Sequence, residues 1–251
     1  TMEPIYDVLT AVEKISRVTD IPLEEDQGVI MFSDIDTGMG ASIDLKGVTY
    51  TSQDGKLDIL KDLNISIKSG ARVVITGPNG SGKSTLLRLL SAQYEATSGT
   101  VSYNGQTAGN LNTADLRYNI GDCFLSENLF EGTLLENITL GRPEIELSDV
   151  EWAVNGLGLK NFIMSLPMGY ETPVGPTAIP LSSSLIERIL LARAIITRPR
   201  LLLVDDVFHL FDPKERKAII DFIWDEKQPW TLVAASNLDV VCSHSTQTIK
   251  L

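Results

Sequence analysis

The stretch "RVVITGPNGSGKSTLLRLL", Arg72 to Leu90, carries the architecture. "RVVIT" has the pattern of a buried strand, and "STLLRLLSAQY" reads as a helix. Between them Gly77–Thr85, "GPNGSGKST", satisfies G-x-x-x-x-G-K-[ST] in the strand, loop, helix context that this motif requires. That order opens an α/β nucleotide-binding fold.

The loop chemistry follows from its residue types. Gly77, Gly80 and Gly82, with Pro78, Asn79 and Ser81 between them, let the backbone curl so that its N–H groups and the helix N-terminus face phosphates. Lys83 is expected to reach the β- and γ-phosphates, Ser84 to ligate Mg²⁺ through its hydroxyl, and Thr85 to complete the motif. The expected ligand is ATP or a close relative.

Downstream, "LSSSLIERILLARAIITRPRLLLVDD" (Leu181–Asp206) predicts a helix over 184–197, a break at Arg198-Pro199-Arg200 and an aliphatic strand ending in two carboxylates. In a parallel sheet that strand delivers Asp205 beside the phosphate loop, as a second ligand for Mg²⁺. Helix "DPKERKAIIDFIWDE" and strands "TLVAAS" and "STQTIKL" continue the α/β alternation.

Upstream, "ASIDLKGVTYTS" and "ILKDLNISIKSG" read as strands joined by the turn "DGKL", and "GTVSYNGQ" reads as a hairpin. These predict an antiparallel β-subdomain, and helical segments dominate from Asp115 to about Pro180. Residues 1–40 read as an amphipathic helix, with Ile5, Val8, Leu9, Val12, Ile15 and Val18 on one face, followed by the linker "MFSDIDTGMG". The expected division is therefore 1–40 and 41–251, with a helical subdomain at about 113–183.

The bulk composition narrows the partners. At 251 residues, with 21 basic and 33 acidic side chains and a net charge of −12, the chain is a poor binder of polyanions, so nucleic acid is not an expected partner. Cys123 and Cys242 stand far apart without CxxC spacing, which indicates neither a disulfide scaffold nor a zinc site. No stretch reaches the roughly 18 uncharged apolar residues of a spanning helix, so the chain is expected to be soluble as given.

The Gly77–Thr85 loop, the Leu181–Asp206 stretch and "FDP" at Phe211–Pro213 together resemble the nucleotide-binding domain of ATP-binding cassette (ABC) transporters, across nearly the whole chain. "LRYNIGDCFLSENLFEGTLLENITLG" and "SLPMGYETPVG" resemble the exporter branch, and the N-terminal helix resembles the cytosolic extension of its last membrane helix. The resemblance implies ATP and Mg²⁺ as cofactors. It also implies a second nucleotide-binding domain and a transmembrane domain as partners, and a place at the cytoplasmic face of a membrane.

The chain departs from the family pattern at functional positions. The signature LSGGQ is matched by Leu181, Ser182, Ser183, Ser184 and Leu185, where Ser182 keeps the hydroxyl that the resemblance assigns to the ATP of the partner subunit. The catalytic glutamate falls on Asp206, one methylene shorter, and the glutamine of the Q-loop falls on Leu125, which offers no oxygen ligand. The switch histidine aligns with Ser236 and the aromatic that stacks on adenine with Ser52. ATP binding with impaired hydrolysis is the expectation; a fully active exporter ATPase and a soluble, non-transport ABC protein or regulatory module are the alternatives.

Overall fold

The strand before the glycine loop lies inside a five-stranded parallel sheet. The computed structural model describes residues 28–35, 38–52, 54–125, 127–178 and 180–251; the predicted helix within residues 1–27 lies outside them. The strands are β1 (Ile43–Thr51), β2 (Asp58–Ile67), β3 (Arg72–Thr76), β4 (Ser98–Tyr103), β5 (Gln106–Thr107), β6 (Ile120–Phe124), β7 (Gly132–Thr133), β8 (Pro173–Val174), β9 (Leu201–Asp205), β10 (Thr231–Ala235) and β11 (Gln247–Lys250). The helices are α1 (Lys83–Leu90), α2 (Thr113–Tyr118), α3 (Leu134–Thr139), α4 (Leu147–Gly156), α5 (Lys160–Ser165), α6 (Ser183–Ile195), α7 (Pro213–Ile223) and α8 (Asp239–Cys242).

The parallel sheet has the order β11-β3-β10-β9-β6, and the antiparallel one β2-β1-β4-β5. Every strand of the parallel sheet pairs with parallel neighbours, as the α/β alternation requires when each crossover passes through a helix or loop. All five residues of β9 and of β10 are buried, and all but Asp205 and Thr231 are apolar, as in a sheet covered on both faces.

Strand alternation divides the core into two layers. Val73 and Ile75, Leu201 and Leu203, and Val233 and Ala235 share one apolar cluster with α1 and the antiparallel sheet. Val74, Leu202, Val204, Leu232 and Ala234 belong to the other, with α4, α6 and α7.

Two stretches differ from their sequence reading. Residues 120–124, inside the span expected to be helical, form β6 at the edge of the parallel sheet, because Cys123 and Phe124 bury on opposite faces of it. In the stretch read as a linker, Phe32 is fully buried edge-on to Tyr103. The Arg200 guanidinium donates to the carbonyls of Phe32, Ser33 and Ile35 at 3.1, 2.8 and 2.6 Å. Burying one such ring stabilises by about 2–3 kcal/mol, enough to pack this segment against the core.

Candidate functional site

The alternation that sorts the core also aims the site. Leu201 and Leu203 face the α1 side of the sheet, so Asp205, two residues on, falls on that side at the C-terminal end of β9. The phosphate loop leaves the same end of β3, two strands away. The two therefore meet at a cavity of about 840 Å³, lined by Asn79, Gly80, Gly82, Lys83, Ser84, Thr85, Asp205 and Asp206 and, on its other walls, by Leu57, Asp58, Ile59 and Leu125.

The loop is curled as tightly as its glycines allow. A Cβ on Gly77 would lie 2.7 Å from both the Leu251 carbonyl and Ser81 Oγ, and one on Gly82 would lie 2.7 Å from Leu60 Cδ2. Gly82 also has φ +95°, open only to glycine at low cost. Lys83 Nζ donates to the carbonyls of Gly77 and Pro78 at 2.8 and 3.0 Å, which folds the lysine back over the loop. Ser81 Oγ is buried without a hydrogen-bond partner among the described residues, and Ser84 is exposed on the cavity wall.

Asp206 follows Asp205 in a left-handed conformation, φ 49° and ψ 30°, with its N–H donating to the Ala235 carbonyl at 2.9 Å. Burial raises its carboxyl above the ordinary carboxylate range; His209 opposes this, the Asp205 charge adds to it, and Lys83 opposes it. His209 Nδ1 lies 4.0 Å from Asp206 Oδ1 and bonds the Asp206 carbonyl. Leu125, at the Q-loop position, lines the cavity with an apolar side chain.

Three residues named from sequence, Ser236, Ser182 and Ser52, are not among those that line the cavity. Ser236 is completely buried, and its Oγ accepts from the Leu238 N–H at 3.2 Å. Ser182 caps α6, its side chain accepting from the Leu185 N–H at 3.3 Å, and is exposed at the surface. Ser52 is turned into the β1–β2 connection: its Oγ donates to Asp54 and accepts from the Leu57 N–H at 3.1 Å. Tyr50 stacks on Tyr94, ring centroids 5.1 Å apart.

Sequence reasoning missed two sets of contacts and one perturbed carboxyl. Asn237 donates to the Gly77 carbonyl at 2.9 Å and accepts from the Gly77 N–H at 3.1 Å, and an asparagine after a strand carries no sign that it reaches across 160 positions. Ser184 Oγ donates to Glu215 Oε2 at 3.0 Å, while Arg188 pairs with Glu215 Oε1 at 2.9 Å. Glu127, beyond β6, is pushed up to about 7 by burial and by Asp122, against the pull of Arg193; no motif marks it.

A parallel sheet with a phosphate loop at the C-terminal end of β3 and paired carboxylates ending β9 defines a P-loop NTPase domain. The family model described as "ABC transporter" matches residues 60–209, and the chain belongs to that family. It is 35% identical over 218 residues to a "Putative multidrug export ATP-binding/permease protein" of Staphylococcus aureus strain NCTC 8325, which covers 83% of this chain and 38% of that protein. A counterpart of the same name in the bovine strain RF122 is 34% identical over the same shares. The structure of a bacterial Atm1-family ABC exporter with ATP bound superposes with a TM-score of 0.84 at 25% identity, covering 98% of this chain and 43% of that one. The chain thus spans about two fifths of the length of the relatives it matches. No described helix is long and apolar enough to cross a membrane.

Proposed function

We propose that this chain is the ATP-binding domain of an ABC exporter-type transporter. In this reading it binds Mg-ATP to drive or gate face-to-face dimerisation with a second nucleotide-binding domain, and hydrolyses ATP slowly at its own site. A transmembrane domain, fused or separate, completes the assembly at the cytoplasmic face of the membrane. The observation that carries the reading is the composition of one cavity: Asn79, Gly80 and Gly82–Thr85 of the glycine loop and Asp205 on one side, with Leu125 where a water-orienting glutamine is expected.

The residues present fit the ligands. A Cβ at Gly77 or Gly82 would run into Leu251 or Leu60, so glycine at these positions keeps the loop in its tight curl at the start of α1, the arrangement that suits a phosphate. The Ser84 hydroxyl and the Asp205 carboxylate are oxygen donors of the kind Mg²⁺ takes together with substrate phosphates. Bound Mg²⁺ would neutralise charge developing on the phosphates. Lys83, now on the Gly77 and Pro78 carbonyls, is placed to exchange them for phosphate oxygens.

The chain's own groups for activating water are weaker. Asp206 is a carboxylate one methylene shorter than the glutamate expected there, and a general base must lie within hydrogen-bond reach of the water it activates. Ser236 is fully buried, its hydroxyl accepts from the Leu238 N–H, and it is not among the described residues that line the cavity. Ser182, exposed at the tip of α6, is available to the nucleotide of a partner subunit.

Titration calorimetry with Mg-ATP and a steady-state hydrolysis assay on the same preparation test this reading, with Lys83→Ala as the reference. Binding that is lost in Lys83→Ala, with turnover far below about 1 s⁻¹, is expected. Turnover at or above that rate would overturn slow hydrolysis, and absence of binding would overturn the nucleotide reading altogether.

A further inference from the structure

The 3-10 turn Val207–Leu210, which follows Asp206, carries a single polar side chain, His209. Val207, Phe208 and the following Phe211 are buried, with Phe208 edge-on to Phe211 and to Trp224. Arg216 of α7 donates to the carbonyls of Phe208 and Phe211, both at 2.8 Å. These contacts root the turn in the core and leave His209 half-exposed above it.

The His209 ring turns back onto the residue that opens the turn. A carbonyl oxygen only accepts, so the 2.5 Å bond between Nδ1 and the Asp206 carbonyl puts a proton on Nδ1. The same nitrogen stands 4.0 Å from Asp206 Oδ1. On its other side Asp206 donates its N–H to the Ala235 carbonyl at the end of β10, at 2.9 Å. Asp206 is thus held through both of its peptide groups, one by the sheet and one by His209. Its left-handed backbone, φ 49° and ψ 30°, is one that a residue with a Cβ leaves for the right-handed region unless neighbours hold it.

From this geometry we infer that His209 is the positioning residue for Asp206: its Nδ1–H holds the left-handed turn that aims the carboxylate into the phosphate cavity. The inference rests on the slow-hydrolysis reading above and deepens it. With both flanking peptide planes fixed, the Cα–Cβ bond of Asp206 is fixed too, and the side chain meets the cavity wall. Relaxation of φ or ψ turns that bond away from a water above the wall. Misplacing a group that handles the reacting water by about 1 Å costs rate on the order of a hundredfold. In the same reading nucleotide is held by the glycine loop, Lys83 and Ser84, on other elements, so rate and affinity respond separately.

Two substitutions at this half-exposed position test the inference. His209→Leu keeps an apolar side chain of similar size and removes the donor, whereas His209→Asn sets an amide N–H where Nδ1 stands. Turnover of labelled Mg-ATP, read above the Lys83→Ala background, is compared with the Mg-ATP dissociation constant from calorimetry on the same 251-residue chains. His209→Leu is expected to lose about tenfold or more in turnover with its dissociation constant within about twofold of wild type. His209→Asn is expected to recover to within about threefold of the wild-type rate. A wild-type rate in His209→Leu, a rate in His209→Asn as low as that of His209→Leu, or binding weakened in step with the rate would overturn the inference and leave slow hydrolysis standing. A wild-type chain that binds Mg-ATP but turns over no faster than Lys83→Ala would instead overturn the hydrolysis reading on which it rests.

Discussion

Asn237 and Gly77 exchange two hydrogen bonds, Gly77 N–H to Oδ1 at 3.1 Å and Nδ2 to the Gly77 carbonyl at 2.9 Å. Each residue donates one bond and accepts the other, so the pair sets the amide's orientation as well as the loop's. The end of β10 thereby grips the first residue of the phosphate loop, and Lys83 bonds the same carbonyl. Asn237→Ala removes both bonds and is expected to weaken Mg-ATP binding by about 1 kcal/mol, roughly fivefold. Asn237→Asp should do at least as much harm, because it sets a second acceptor against the Gly77 carbonyl. Calorimetric titration of the two variants checks both, and equal affinity to wild type would show that the loop holds its shape without this contact.

Ser184 and Arg188, on successive turns of α6, both bond Glu215 of α7. The serine at a position where the family signature has glycine thus ties the start of α6 to its neighbour. Ser184→Gly loses one charge-assisted hydrogen bond and adds backbone freedom in the first turn, at a combined cost of about 2 kcal/mol. For a chain of this size a fall in Tm of about 4–8 °C is expected. An unaltered melting temperature in scanning calorimetry would remove Ser184 from the packing of α6.

On the proposed reading of slow hydrolysis, substitution at two positions should raise the rate and substitution at a third should not. Leu125 is 44% exposed on the cavity wall, so Leu125→Gln adds an oxygen without repacking. Asp206→Glu extends the carboxylate by one methylene at a small cost for its left-handed backbone. The double variant is expected to turn over ATP at least about tenfold faster than wild type, within the range that a positioned general base contributes. Ser236→His, by contrast, puts an imidazole into a fully buried site whose hydroxyl caps the Leu238 N–H, and a lower Tm is expected from overpacking. Phosphate-release kinetics and thermal melts of the three variants separate these effects.

Glu127 makes stability depend on pH. Burial and the Asp122 charge lift its carboxyl from the ordinary 4.5 to about 7 in the folded chain. The folded state therefore favours the protonated form, and the stability this contributes is complete below about 4.5 and is lost as pH rises toward 7. Glu127→Gln should stabilise the chain at pH 8 by about 1 kcal/mol, less than the full shift implies because the half-buried side chain keeps part of its hydration, and leave it unchanged at pH 4. Melting curves at the two pH values check the sign; equal effects at both would point to packing instead of ionisation.

The elements of the parallel sheet were legible because each carries local chemistry. "RVVIT", "LLLV" and "TLVAA" are short apolar runs bounded by turn residues, and the helices between them show where crossovers pass. Residues 120–124 were not legible, because "IGDCF" is brief and mixed, and only its place at the sheet edge beside β9 makes it a strand. Phe32 sits in a stretch rich in Asp, Gly and Ser, so its burial under Arg200 depends on a contact 168 positions away.

By itself the sequence determined a glycine loop of the phosphate-binding pattern between a strand and a helix, and a carboxylate at the end of a second apolar strand, since glycine spacing, a lysine at a helix start and an aspartate ending an apolar strand act through local backbone geometry. Tertiary structure alone decided what surrounds that pair. It placed Leu125, Leu57 and Ile59 on the cavity walls, turned Ser236 and Ser52 into their own backbone, and brought Asn237 onto Gly77. These outcomes depend on which strands lie side by side and which hydroxyls find nearer partners, and neither is encoded in the spacing of residues along the chain.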